Sequence, residues 1–145
     1  MAKIKNAKKG ENGQSLEDAD YALLAEFRYE LRCFLSFSEA VAHKANLTPQ
    51  QHQALLSIRG AQGRQQTIGQ LADRLLIKPH SASGLVQRLE SQGFIERIWD
   101  GEDARVVRLR LTASGEQVLE ALSLAHQSEL HHMKPLLRAL INRFD

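Results

Sequence analysis

TIGQLADRLLIKPHSASGLVQRLESQG, residues 67–93, reads as two helices joined by a tight turn. Thr67 and Gln70 have the Thr-x-x-Gln spacing of a capping box, in which each side chain satisfies an amide left without a partner at a helix start. Ile68, Leu71, Ala72 and Leu75 then recur at helical spacing and make one apolar face. A second helix opens at Pro79, since proline's missing N–H has no intrahelical acceptor in a first turn. Its apolar face is Ala82, Leu85, Val86 and Leu89, and Gly93 stands where a left-handed glycine ends a helix. The opposite face carries His80, Ser81, Ser83, Gly84, Gln87 and Arg88. Small hydroxyls, an imidazole, an amide and a guanidinium on one face can approach base edges and phosphates. The stretch is a helix-turn-helix candidate whose second helix is the reader.

Upstream, Leu16 to about Ala45 has a helical period. Leu23, Leu24, Phe27, Leu31, Phe34, Leu35 and Val41 recur among charged residues. A small domain rarely hides so long a stripe in its own core, so part of it is expected to meet a second subunit. Asn46 and Leu47 break the helix. Thr48-Pro49-Gln50-Gln51 then repeats the cap, with Ala54, Leu55, Leu56 and Ile58 as the expected buried side and Gly60 at the end. Residues 61–66, AQGRQQ, form a polar linker.

Downstream of Gly93 the period becomes that of strands. Phe94, Ile95, Ile98 and Trp99 are followed by a turn-rich tip, Trp99 to Asp103, and then by Val106, Val107, Leu109 and Leu111. This is a β-hairpin with a charged end. Thr112 caps a further helix reaching about Met133, and Pro135 is expected to divide it from a last short helix, Leu136 to Phe144. The expected fold class is mainly α with a small β-hairpin wing. A winged helix-turn-helix over 47–111 lies between helices at 16–46 and 112–145 that form a dimerisation region. Residues 16–145 make one domain. Residues 1–15, with Lys3, Lys5, Lys8 and Lys9, read as a disordered basic tail.

Composition narrows the class. The 145 residues suffice for one domain with a core, and 43% hydrophobic with 25% charged residues is ordinary for a soluble globular protein. No run approaches the roughly 18 apolar residues of a membrane span, so no membrane partner is expected. The basic N-terminus has no apolar segment behind it, which argues against a secretory signal. The lone Cys33 permits no internal disulfide and fits a reducing cytoplasm. A net charge of +2 is no polycation, so nucleic-acid binding has to rest on where the basic residues lie.

The order of parts resembles the MarR family of bacterial repressors over about residues 20–145. The matching pieces are LTPQQHQALL at 47–56, IGQLADRL at 68–75, GLVQRLESQGFIER at 84–97 and DARVVRLRLTASGEQVL at 103–119. The resemblance implies a homodimeric winged helix-turn-helix regulator of double-stranded DNA. Its recognition helices would enter successive major grooves of a pseudo-palindromic operator, about 34 Å apart. It also implies repression relieved by a small-molecule effector, often an aromatic acid, and neither cofactor nor enzymatic activity. Carried over by position, Asp103 and Arg105 are the wing residues, with Arg108 a further basic position. The arginine would enter the minor groove, held by the aspartate through a charge-assisted hydrogen bond. Arg64, Thr67 and Arg74 are candidate phosphate contacts. The sequence departs from the family at three places: Ala104 replaces an arginine, Leu76 stands at the turn often held by Gly, and Lys78 replaces a Ser or Thr cap.

An effector pocket is expected where the flanking helices join the winged helix, lined by Phe34, Phe37, Ser38, His52 and Leu56. Cys33, between Arg32 and Phe34 on an apolar stripe, reads as a buried small hydrophobe. Some relatives sense peroxides through a Cys in the first helix, so redox sensing through Cys33 is the alternative. His126, His131 and His132 with Glu129 lack metal-ligand spacing, and no metal is expected. Neither a Gly-rich phosphate loop nor a nucleophile elbow occurs, which disfavours enzymes. A winged helix that assembles proteins without touching DNA is the rival from another class.

Overall fold

The computed structural model describes residues 15–99, 101 and 105–145. Five helices and one hairpin follow in order: α1 (Asp18–Lys44), α2 (Pro49–Gly60), α3 (Ile68–Leu75), α4 (Pro79–Ser91), β1 (Ile95–Trp99), β2 (Val107–Leu111) and α5 (Ala113–Phe144). A 3₁₀ turn, Gln62–Arg64, separates α2 from α3. The expected fold class is the one observed. The tail at 1–14 and the wing residue Asp103 lie outside the described residues.

The helix starts follow the caps written in the sequence. Thr48 accepts from the Gln51 amide at 3.1 Å while the Gln51 side chain accepts from the Thr48 amide at 3.0 Å. Thr67 and Gln70 repeat both bonds at the head of α3. Three helix ends share another device. Asn46, Leu76 and Gly93 adopt left-handed backbone, with φ of 58°, 56° and 78°. Behind each, the next amide reaches back to a carbonyl five residues earlier, Leu47 to Ala42, Ile77 to Ala72 and Phe94 to Leu89. These are Schellman closures, in which an apolar residue just after the left-handed one packs back on the last turn.

The core lies in the winged helix. Leu47, Leu55, Ile58, Leu71, Leu85, Val86, Leu89 and Leu109 are fully buried, drawn from α2, α3, α4, the hairpin and the α1–α2 link. The strands pair antiparallel, from Ile95 opposite Leu111 to Trp99 opposite Val107. Gln66 adds a short third rung, exchanging both backbone bonds with Leu109 at 3.1 and 2.7 Å. The 61–66 segment is therefore more than a polar linker: Gln66 is buried, and its side chain accepts from the Ser57 hydroxyl at 3.0 Å.

Helices α1 and α5 run antiparallel. Arg143, near the end of α5, donates to Asp20 at the start of α1 and to Glu17 at 2.9 Å. That guanidinium is the main reason the Asp20 carboxyl stays below its usual range, with the Glu17 amide second. Pro135 does not divide α5, which continues from Ala113 to Phe144. Proline deletes one amide bond, here to the His131 carbonyl, and both residues lie on the exposed side, where water can satisfy that carbonyl. A second correction concerns Leu56. It is exposed, and the buried side of α2 is completed by Gln51 and His52 instead.

Gly115 sets how α5 leaves the head. A Cβ built there would lie 2.1 Å from the Phe94 carbonyl oxygen, so only glycine lets this backbone come so close. Gly115→Ala is expected to destabilise the protein by at least about 1–3 kcal/mol in urea unfolding, as overpacking against backbone does. Gly60→Ala, with nothing within 4 Å of the new carbon, is the control and should be near neutral.

Candidate nucleic-acid interface and the junction behind it

Helix α4 divides cleanly. Ala82, Leu85, Val86 and Leu89 are buried, while Lys78, His80, Ser81, Gln87 and Arg88 are exposed. Ser83 and Gly84 are half-buried on its flank. Lys78 makes no side-chain cap, so the first turn, beginning with Pro79, presents amides without a side-chain acceptor from its N-cap. Such amides and the positive end of the helix favour an anion. At the head of α3, the Thr67 oxygen already accepts from Gln70, which leaves its hydroxyl hydrogen free to donate outward.

Ion pairs separate two groups of arginine. Arg59 pairs with Glu116 at 2.8 Å, Arg97 with Glu90 at 2.9 Å and Arg110 with Glu96 at 2.6 Å; these tie α2 to α5, β1 to α4 and strand to strand. Among the described residues, none of the basic residues at the expected interface, Arg64, Arg74, Lys78, Arg88 and Arg108, is held in an ion pair. Arg105 is exposed at the base of the wing tip. Arg74 and Arg108 meet at an open groove of about 820 Å³ between α2, α3 and β2, beside Gln53, Ser57 and Gln70. Leu56 lines this groove, not the expected effector pocket.

The other four expected pocket residues do meet, around a residue the sequence reading placed elsewhere. Phe34 and Phe37 point their edges at the His126 ring, with centroids 5.6 and 5.5 Å away. His126 contacts Ser38 Oγ through Nε2 at 2.7 Å, and His52 lies 4.9 Å from it, centroid to centroid. His126 stands on α5, 88 residues from Ser38, and its i−4 partner is the Leu122 carbonyl. Its lone polar side chain within an apolar face was the available signal. Among the described residues no group of three or more His, Cys, Asp or Glu side chains could hold a metal.

Cys33 is exposed, not buried as its neighbours suggested. Its side chain shares a hydrogen bond with Tyr29, one turn earlier, and that bond is the first reason the Tyr29 hydroxyl is pushed above its usual pKa. The stripe that holds Cys33 faces outward because α1 covers the rest of the chain with only part of its circumference.

Two helices at a left-handed turn, the reading helix outward and a hairpin directly behind it define a winged helix-turn-helix protein. Residues 45–106 match the MarR family. An uncharacterized HTH-type transcriptional regulator of Bacillus subtilis, YsmB, is 30% identical over 67 residues, and the match covers 46% of this chain and 46% of YsmB. The chain thus spans about half the length of that curated relative. MepR, a transcription regulator of the Staphylococcus aureus multidrug efflux pump MepA, superposes with a TM-score of 0.71 at 21% identity, over 86% of this chain and 98% of MepR. A MepR variant bound to an oligodeoxyribonucleotide gives 0.63 at 24% identity, over 85% and 83%. NadR in complex with 4-hydroxyphenylacetate gives 0.66 at 21% identity, over 91% and 92%. At these identities the superpositions speak for the fold. The fold is that of a winged helix-turn-helix protein, and residues 45–106 are similar to the MarR family.

The turn of the reading motif carries backbone strain. Leu76 holds left-handed φ with a side chain 92% exposed, so it returns almost no burial. Leu76→Gly should raise stability by about 0.5–1 kcal/mol, the relief of strain less glycine's greater unfolded entropy. A higher urea midpoint with unchanged slope is the expected reading; a lower midpoint refutes the strain.

Proposed function

We propose that the chain is a homodimeric transcriptional regulator that binds double-stranded DNA, reads a pseudo-palindromic operator in the cytoplasm and represses until an effector releases it. The observation that carries this reading is α4. Its one face is core, and its other presents Lys78, His80, Ser81, Gln87 and Arg88 to solvent at the motif where this fold reads a major groove. Ser83 and Gly84 flank the face and leave room for close approach. Arg105, Arg108 and Asp103 serve the wing, while Arg64, Thr67 and Arg74 hold phosphates. The DNA complex of MepR supports the choice of partner.

The dimer reading draws on α1 and α5. Leu24, Tyr29, Leu35, Leu130, Leu137 and Ile141 are large apolar side chains left exposed on these two helices. A second copy is their natural cover, since so many large apolar side chains exposed on two helices are costly in water. The effector, an aromatic acid by analogy with the 4-hydroxyphenylacetate held by NadR, would enter near Phe34, Phe37, Ser38 and His52. A second reading, thiol sensing through Cys33, is favoured by its exposure and its bond to Tyr29. Unchanged DNA affinity after mild peroxide would remove it.

Affinity for a duplex should fall steeply with salt, because bound phosphates release counterions. Arg88→Ala is expected to weaken binding to many sequences alike and lower the salt slope by about 1, whereas Gln87→Ala should alter preference at particular base pairs by about 1–3 kcal/mol. Fluorescence anisotropy on selected and scrambled duplexes separates the two. Binding that ignores salt would mean that α4 docks a protein instead. Sedimentation should give twice the chain mass, and Leu35→Glu with Ile141→Glu should halve it.

A further inference from the structure

Helices α1, α2 and α5 converge on one buried polar cluster, and one of its hydrogen bonds fixes a proton. The Leu122 carbonyl can only accept, so the His126 Nδ1 that lies 2.6 Å from it carries hydrogen. The Nε2 of the neutral ring then holds a lone pair and accepts from the Ser38 hydroxyl at 2.7 Å. That bond joins α5 to α1. His52, on α2, faces the same ring at 4.9 Å and is only 3% exposed. Its Nδ1 is fully buried and has no hydrogen-bond partner.

Among the described residues no acid acts on the His52 ring, and the titratable neighbour that does is His126. From α1 come the Phe34 and Phe37 edges and the Ser38 hydroxyl, and from α5 comes His126, the titratable group that faces His52. Glu39, next to Ser38 in sequence, and Glu129, three residues after His126, are engaged elsewhere. Glu39 pairs with His43 at 3.6 Å, and Glu129 approaches His132 at 4.0 Å. A cation at His52 would therefore be desolvated, unpaired and next to a second imidazole.

We propose that the His52–His126 pair is a proton-operated latch: neutral, it locks the reading head to the α1–α5 arms, and protonated, it frees α2 from them. Burial first, and then His126, hold the His52 pKa below the ordinary histidine value. The sign follows from that direction. Above the unfolded histidine range, near pH 6.5, both states are neutral and the junction is at full strength. As pH falls below that range the opened form takes up the proton first, so the closed junction loses stability down to the lowered pKa. In a dimer that spaces two recognition helices through its arms, a loosened junction weakens DNA binding. This last consequence rests on the DNA-reading role of α4; the latch itself does not.

The test uses the full chain. Nitrogen-15 histidine spectra between pH 8 and 5 should show His126 as the Nδ1–H tautomer and His52 titrating below the ordinary histidine value. The protection factors of α2 amides, that is exchange corrected for its intrinsic pH dependence, should fall in step. Affinity for a generic duplex should fall about tenfold more from pH 7.5 to 5.5 in the wild type than in His52→Phe, a difference of about 1.4 kcal/mol. If His52 titrates in the ordinary histidine range while α2 protection stays flat, the latch is overturned, whether or not His52→Phe folds. Equal losses in wild type and variant overturn it too. Absence of duplex binding at pH 7.5 would sink the DNA reading alone, and the spectra and exchange would still decide the latch.

Discussion

Everything outside the winged helix depends on one backbone approach, that of the Phe94 carbonyl to Gly115. The same carbonyl accepts from the Thr112 amide at 3.0 Å, and the Thr112 hydroxyl donates to the Gly93 carbonyl at 2.6 Å while capping Gly115. The start of α5 is thus stapled to the point where α4 ends and the hairpin begins. A helix of 32 residues extends about 48 Å, so a small change of angle at this staple moves its far end by many ångströms. The direction of α5 then decides where α1 lies, and therefore which side chains meet at the junction.

The two ends of that α1–α5 pair are held by different physics. At the far end, Arg143 holds Asp20 and Glu17 with charge, at a surface where salt weakens the attraction. At the near end, Ser38 and His126 use a neutral hydrogen bond inside an apolar box. The first tolerates displacement because water reaches Arg143 and Glu17, although Asp20 itself is buried. The second does not, since burying an unsatisfied imidazole or hydroxyl costs roughly 1–3 kcal/mol. The near end is therefore the stiffer fixture, and it is the one that adjoins the head.

Local rules carried much of this into the sequence. Both capping boxes, the Thr112 cap, the reading helix and the hairpin follow from side chains within four residues of one another, which is why they could be read. Leu76 could be seen as an irregular turn, though its left-handed closure is the same one that Asn46 and Gly93 make with more suitable residues. What could not be read depends on long-range placement. Gln66 pairs with Leu109 across 43 positions, Leu56 is exposed because α2 turns Gln51 and His52 inward, and Pro135 is tolerated because its missing bond faces water. The candidate pocket was legible as a set of α1 and α2 residues; its centre, His126, was not, because it arrives from α5.

The distribution of charge completes the division of labour. Arginines that build the fold are each held by one carboxylate, across α2–α5, α4–β1 and β1–β2. Arg74 on α3, Arg88 on α4 and Arg108 on β2 have no such partner among the described residues. A net charge of +2 hides this separation, because acids offset the arginines that make structure and not Arg74, Arg88 and Arg108. Local potential, not total charge, attracts an anionic polymer, and screening over about 8 Å at physiological salt keeps that potential local. A nearly neutral chain can therefore present a basic face while its ion pairs hold the frame behind it rigid.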